Sequence, residues 1–154
     1  MRRTTLLLVM MGFLLVIGSA VALAVSGSFT GTNKKDTIQG SAGPDQLAGG
    51  GKNDSITAKG DDDELYGDQG DDTLLGEAGN DLLDGGSGAD TLDGGQDDDF
   101  INAADGAGND QVIPGTGNDT CVVDVGDTIN SATAPSGHTP GTPLGNCDQV
   151  YVVG

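Results

Sequence analysis

The sequence predicts an all-β solenoid, and three observations carry that prediction. Aspartate recurs every nine residues at Asp36, Asp45, Asp54, Asp63, Asp72, Asp81, Asp90 and Asp99, and an aliphatic residue stands two places after each, at Ile38, Leu47, Ile56, Leu65, Leu74, Leu83, Leu92 and Ile101. Glycine supplies 28 of the 154 residues, aromatic side chains make up 3% and tryptophan is absent, so a conventional globular core is excluded and one aliphatic per repeat has to serve instead. Between the glycine-rich stretches only three residues, x-aliphatic-x, are free to extend, a strand of about 10 Å before the chain must turn again.

Taken in order, the first element is an apolar segment. Arg2 and Arg3 precede the run LLLVMMGFLLVIGSAVALAV, and Ala22-Leu23-Ala24 fits a small-residue cleavage site. Residues 1–24 therefore read as a signal helix for export, with a mature chain from Val25. The alternative is an uncleaved anchor, since roughly 18 to 20 apolar residues suffice to span a bilayer. Both options place the rest outside the cytoplasm, and only the second involves a membrane.

The nonapeptides follow from residue 31. After Ile101 the phase slips by two at Ala103-Ala104 and resumes with Asp110/Val112 and Asp119/Cys121, so that ten repeats end at residue 122. The clearest units are GDQGDDTLL (67–75), GEAGNDLLD (76–84) and GGSGADTLD (85–93), with DGAGNDQVI and PGTGNDTCV further on. The formal charge of −18 is uneven: beyond residue 59 there is no Lys or Arg but 21 carboxylates. Nucleic acid and anionic membrane surfaces are repelled by such a chain, and a compact form of it calls for a cation.

These units resemble the G-G-x-G-x-D-x-U-x nonapeptide of RTX proteins, in which U is a large aliphatic. The resemblance implies a right-handed parallel β-roll, here residues 25–122, with Ca²⁺ bound in its turns. The residues agree with that implication on their own terms. Glycine at the first, second and fourth positions, as at Gly67, Gly70, Gly76, Gly79, Gly85 and Gly88, permits positive φ and close backbone approach. With two nonapeptides per coil, residues eighteen apart stack about 4.8 Å from one another. Asp54, Asp72 and Asp90 then form one file, and Asp45, Asp63, Asp81 and Asp99 the other. Ca²⁺ takes about six to eight oxygens, so an ion between adjacent turns draws carboxylates from two coils and completes its shell with carbonyls.

The candidate metal residues are Asp54, Asp63, Asp72, Asp81, Asp90, Asp99, Asp110 and Asp119 together with the six glycines just named. The turns of Asp72, Asp81 and Asp90 come first; Asp36 and Asp45 are weaker. Lys34 and Lys52 replace the fourth-position glycine and would compete with an ion, Asp61 and Asp97 take the same place, and the Ala103-Ala104 insertion should interrupt one file of ions before Asp110 and Asp119. Ordering nine backbone residues for one buried Leu is a poor exchange, and the charge repels itself, so the metal-free repeats are expected to be largely unfolded.

Residues 123–154 lose glycine and gain valine, and read as short capping strands that close the solenoid end; Phe29 is the candidate at the other end. The two cysteines, Cys121 and Cys147, are expected to pair across SATAPSGHTPGTPLGN, as suits an exported chain; two free thiols in a reducing compartment is the alternative.

No catalytic constellation is present. His138 stands alone in a Pro/Gly loop, paired acids such as Asp62-Asp63 follow from the period, and an EF-hand or a phosphate loop lacks its remaining residues. The chain thus reads as a secreted calcium-binding module with Ca²⁺ as its only cofactor and no enzymatic activity. One alternative is a membrane-anchored adhesion or matrix protein using the roll as a calcium-rigidified spacer toward a cell-surface or matrix partner. An accessory to an enzyme is the other. Many RTX proteins are exported by a C-terminal signal, and the N-terminal one here departs from them.

Overall fold

A computed structural model describes residues 21–22, 27–107, 109–130 and 147–154. The predicted signal segment, apart from two residues, and the loop holding His138 lie outside the described residues. Among the described residues every regular element is a strand. In chain order they are β1 (Val21–Ala22), β2 (Gly27–Thr30), β3 (Thr37–Gln39), β4 (Asp45–Gly51), β5 (Ser55–Thr57), β6 (Glu64–Gln69) and β7 (Thr73–Ala78). They continue as β8 (Leu82–Asp84), β9 (Thr91–Gln96), β10 (Phe100–Asn102), β11 (Gln111–Thr116), β12 (Asp119–Asp124), β13 (Thr128–Ile129) and β14 (Cys147–Val153).

The strands alternate between two parallel seven-stranded sheets, odd-numbered strands in one and even-numbered strands in the other. Two nonapeptides therefore make one coil, and the register places residues eighteen apart side by side: Ile38, Ile56, Leu74 and Leu92 in one sheet, Leu47, Leu65, Leu83 and Ile101 in the other. All eight are at most 1% exposed and form the core between the sheets. This is the expected all-β parallel solenoid, and its side-chain alternation follows from the two-residue period of a strand. β1 lies inside the predicted signal segment and pairs with β3 through Val21 and Ala22.

One detail differs from the sequence expectation. Strands β4, β6, β7, β9, β11 and β12 run six or seven residues rather than three, because the ladder continues through the first turn positions of the next unit. Glycine there lets neighbouring backbones approach closely enough to pair. Across the Ala103-Ala104 insertion the strand pairing continues: Leu92 pairs with Val112 and Ile101 with Cys121, so one enlarged turn absorbs both extra residues. Ala103 is buried at its base, and Asp124 Oδ2 accepts the backbone N–H of Asp105 and of Gly106.

The ends are unequal. Phe29 packs on the core beside Leu47 at the start. At the other end the Cys121–Cys147 disulfide joins β12 to β14. Val150 and Val152 continue the inward positions of Cys121 and Val123, yet they are 40% and 62% exposed.

Candidate metal centre

Each nonapeptide places its sixth residue, aspartate, where the chain turns the corner, and the ten aspartates from Asp36 to Asp119 are at most 5% exposed. They form two files. In the first, the N–H of Asp36 donates to Asp54 Oδ1 at 2.7 Å, Asp54 to Asp72 at 2.6 Å, Asp72 to Asp90 at 2.7 Å and Asp90 to Asp110 at 2.7 Å. In the second, Asp45 donates to Asp63 at 2.7 Å, Asp63 to Asp81 and Asp81 to Asp99 at 2.9 Å, and Asp99 to Asp119 at 3.0 Å. Each carboxylate from Asp45 onward is thus tied by one oxygen to the backbone of the coil before it.

The other oxygen is the informative one. Oδ2 of Asp54, Asp63, Asp72, Asp81, Asp90, Asp99 and Asp119 is buried with no hydrogen-bond donor. Burying an oxygen that carries negative charge without a partner is costly, so its environment is incomplete as a set of protein groups alone. In the units of Asp54, Asp72, Asp81, Asp90 and Asp99 the free oxygen faces the first glycine of its own unit. A Cβ built on Gly67 would stand 2.7 Å from Asp72 Oδ2, and one on Gly85 would stand 2.6 Å from Asp90 Oδ2. A backbone carbonyl of the following coil meets the same space: a Cβ on Gly49 would lie 2.9 Å from the Gly67 oxygen, and one on Gly76 would lie 2.5 Å from the Gly94 oxygen. Carboxylate and carbonyl oxygens therefore converge where glycine leaves out a side chain, an arrangement that fits a hard cation taking oxygen ligands. Among the described residues no three Asp, Glu, His or Cys side chains come together, so carbonyls have to supply most of such a shell.

The second and fourth positions shape the turn. Gly70, Gly79 and Gly88 have φ of 133°, 130° and 146°, and the six non-glycine residues of positive φ, Lys52, Lys59, Asp61, Asp68, Glu77 and Asp97, all fall at these two positions. At Lys52, Asp61 and Asp97 the left-handed backbone is retained without glycine. The first position varies too: Ala58, Asp105 and Pro114 stand there in the units of Asp63, Asp110 and Asp119, putting a side-chain carbon where the other units have glycine.

Protonation follows from burial. Loss of solvent, reinforced by neighbouring carboxylates, raises Asp63, Asp72, Asp81 and Asp110 to about 6 and Asp90 and Asp99 to about 7, against an opposing contribution from the N–H bond. Asp54 and Asp119 are raised for the same first cause. A cation between the turns would supply the opposite charge that the protein omits.

A model of the RTX calcium-binding nonapeptide repeat, four copies long, matches the chain in overlapping segments at 30–65, 40–74, 48–83, 66–101 and 84–121. The chain belongs to the RTX calcium-binding nonapeptide-repeat family. That family binds Ca²⁺ in its turns and is a structural calcium-binding module rather than an enzyme family. No curated protein and no solved structure gives a significant match. All eight candidate aspartates lie in the RTX files, with Gly67, Gly76 and Gly85 against the free oxygens and Gly70, Gly79 and Gly88 at the corners.

Sequence reasoning passed over three features of this RTX roll. Thr32 and Ser41 bond the carboxylates of Asp36 and Asp45. The first file runs on to Asp127, whose Oδ1 accepts from the Asp110 N–H at 3.1 Å. Fifth-position residues form a surface ladder in which Asn80 donates to Asp62, the Asp98 N–H donates to Asn80 Oδ1 and Asn118 donates to Asp98. The alternation of Asp with Asn, at steps of eighteen, eighteen and twenty residues, is its visible signal.

A glycine substitution tests the cradle. Gly76→Ala is expected to destabilise the roll by about 2 kcal/mol and to raise its calcium requirement, because the new methyl meets both Asp81 Oδ2 and the Gly94 carbonyl. Gly43→Ala is the control, since nothing lies within 4 Å of a Cβ there. Calcium-titrated urea unfolding in which the two variants behave alike would refute the assignment.

Proposed function

We propose that the chain is an exported calcium-binding protein whose repeats fold around Ca²⁺ and serve as a structural or interaction module without a catalytic centre. One observation carries the reading: a buried carboxylate oxygen without a donor recurs along both corners, in seven turns, with a carbonyl of the next coil converging on it in those of Asp54, Asp72, Asp81 and Asp99. Ca²⁺ fits this donor set through its preference for oxygen and its tolerance of irregular shells, whereas Mg²⁺ demands near-octahedral geometry. Asp54, Asp63, Asp72, Asp81, Asp90, Asp99, Asp110 and Asp119 are the proposed carboxylate donors. Export rests on the Arg2-Arg3 pair, the apolar run and the Ala22-Leu23-Ala24 site, which deliver the repeats to a calcium-rich compartment.

The adhesion reading, with the roll as a spacer, draws on the exposed Val150, Tyr151, Val152 and Val153 of β14, a surface open to a partner. Far-ultraviolet circular dichroism during titration from a metal-free start separates the main reading from a metal-indifferent roll. The expected result is a cooperative conversion from coil to β with Ca²⁺ and none with equal Mg²⁺. A β spectrum unchanged by either ion would overturn it.

A further inference from the structure

The two turns nearest the N-terminus are built differently from those that follow. In the unit of Asp36, Thr32 donates to Asp36 Oδ2 through its N–H at 2.7 Å and through its hydroxyl at 2.8 Å. In the unit of Asp45, Ser41 does the same to Asp45 Oδ2, at 2.6 Å and 3.0 Å. These are the same Oδ2 oxygens that lack any donor in seven later units. The backbone differs accordingly. Thr32 and Ser41 hold the second position, where every later unit has positive φ: Gly50, Lys59, Asp68, Glu77, Gly86, Gly95, Gly106 and Gly115. With Thr32 and Ser41 outside that conformation, their N–H groups turn in toward the carboxylate.

A second observation concerns charge. Among the described residues the cations are Lys34, Lys35, Lys52 and Lys59, all within the first four units. The Lys59 ammonium donates to the Gly40 carbonyl at 2.7 Å, so a first-position carbonyl of this end already holds a positive charge.

We infer that the roll contains two kinds of turn. In the first coil the Oδ2 of Asp36 and of Asp45 is filled by hydroxyl and amide donors of its own turn and takes no ion, while calcium enters from Asp54 onward. This rests on the calcium reading above and adds to it a direction: a metal-independent end at the N-terminus on which the calcium-requiring coils stack. Each later coil gains a preformed neighbour, the interaction on which solenoid stability depends.

Asp36→Asn and Asp72→Asn distinguish the two kinds of turn. Both substitutions keep an acceptor oxygen, and in each the new amide takes the place of an oxygen that had no donor: Oδ1 in Asp36, Oδ2 in Asp72. Calcium bound per full-length chain is measured by isothermal titration, and folding in saturating calcium is followed by circular dichroism. Asp36→Asn is expected to leave the number of ions and the midpoint unchanged within about twofold, and Asp72→Asn to remove at least one ion and raise the midpoint several-fold. The double variant Thr32→Gly/Ser41→Gly, which takes away the hydroxyls and frees the second position, is expected to bind at least one ion more than the original chain. Equal loss of ions in Asp36→Asn and Asp72→Asn overturns the inference, as does a folded double variant with an unaltered ion count. An original chain that binds no calcium at all instead defeats the underlying reading, and is seen before any variant is made.

Discussion

Without divalent cation, acidification from about pH 8 to about pH 5 is expected to fold the roll, opposite to the usual acid unfolding of a protein. The sign comes from burial. Asp90 and Asp99 are raised to about 7 in the folded chain, and Asp63, Asp72, Asp81 and Asp110 to about 6, from an ordinary value of 3.8. Between those values the folded state binds protons that the unfolded state has released. The associated stability is fully present below the unfolded value and is lost as pH rises through 6 and then 7. Each titrating carboxylate shifts the balance by up to about 1.4 kcal/mol per pH unit in that window.

Calcium inverts the dependence, because it binds the carboxylate form and competes with the proton. With calcium present the fold persists at high pH, and the calcium midpoint climbs as pH falls through 7 toward 6. Circular dichroism at fixed pH, with chelator and with calcium, reads both arms. A metal-free chain equally unfolded at both ends of the range would refute the argument. Lower overall repulsion near the pI of about 4.1 acts in the same direction. Asp90→Asn/Asp99→Asn separates the two: it is expected to flatten the upper part of the metal-free pH profile, which general charge reduction would leave in place.

Opening the Cys121–Cys147 bridge is expected to cost about 3 to 4 kcal/mol, the chain-entropy value for the 26-residue separation it spans. The loss should concentrate at the C-terminal end. Cys121 is the last fully buried residue of its core file, and the bridge holds β14 along β12, where Val150 and Val152 are only partly covered. Without it, release of β14 leaves β12 as an open parallel edge, a template for pairing with another chain. Urea unfolding in saturating calcium, with and without reductant, measures the effect; coincident midpoints would show that the bridge adds nothing. Hydrogen exchange locates it, with protection expected to fall in β12 and β14 while Leu65, Leu74 and Leu83 stay slow to exchange.

The repeat was legible because one residue type can do each job in it. Only aspartate puts a carboxylate this close to a turn, only glycine tolerates its first position in most units, and only an aliphatic at the eighth position fills the gap between sheets. Those constraints made the core, the two aspartate files and the disulfide partners readable from Asp36 to Cys147. At the Ala103-Ala104 slip the strand register and the aspartate-to-amide bonds continue, since one corner lengthens to take up the two extra residues. Thr32 and Ser41 were passed over because a hydroxyl at the second position matters only if the local backbone turns its N–H and O–H toward Oδ2. Period alone cannot report that, since the same position takes Asp68 and Glu77 in the left-handed conformation.

The sequence by itself determined the solenoid, its two-unit coil and the residues facing its core and corners, because a strict nine-residue period leaves each side chain one place to go. Tertiary structure alone decided which carboxylate oxygens are left without a donor. That property belongs to neither residue nor repeat: it depends on whether an N–H from the neighbouring coil, a hydroxyl from the same turn or nothing at all arrives at each oxygen once the coils are stacked.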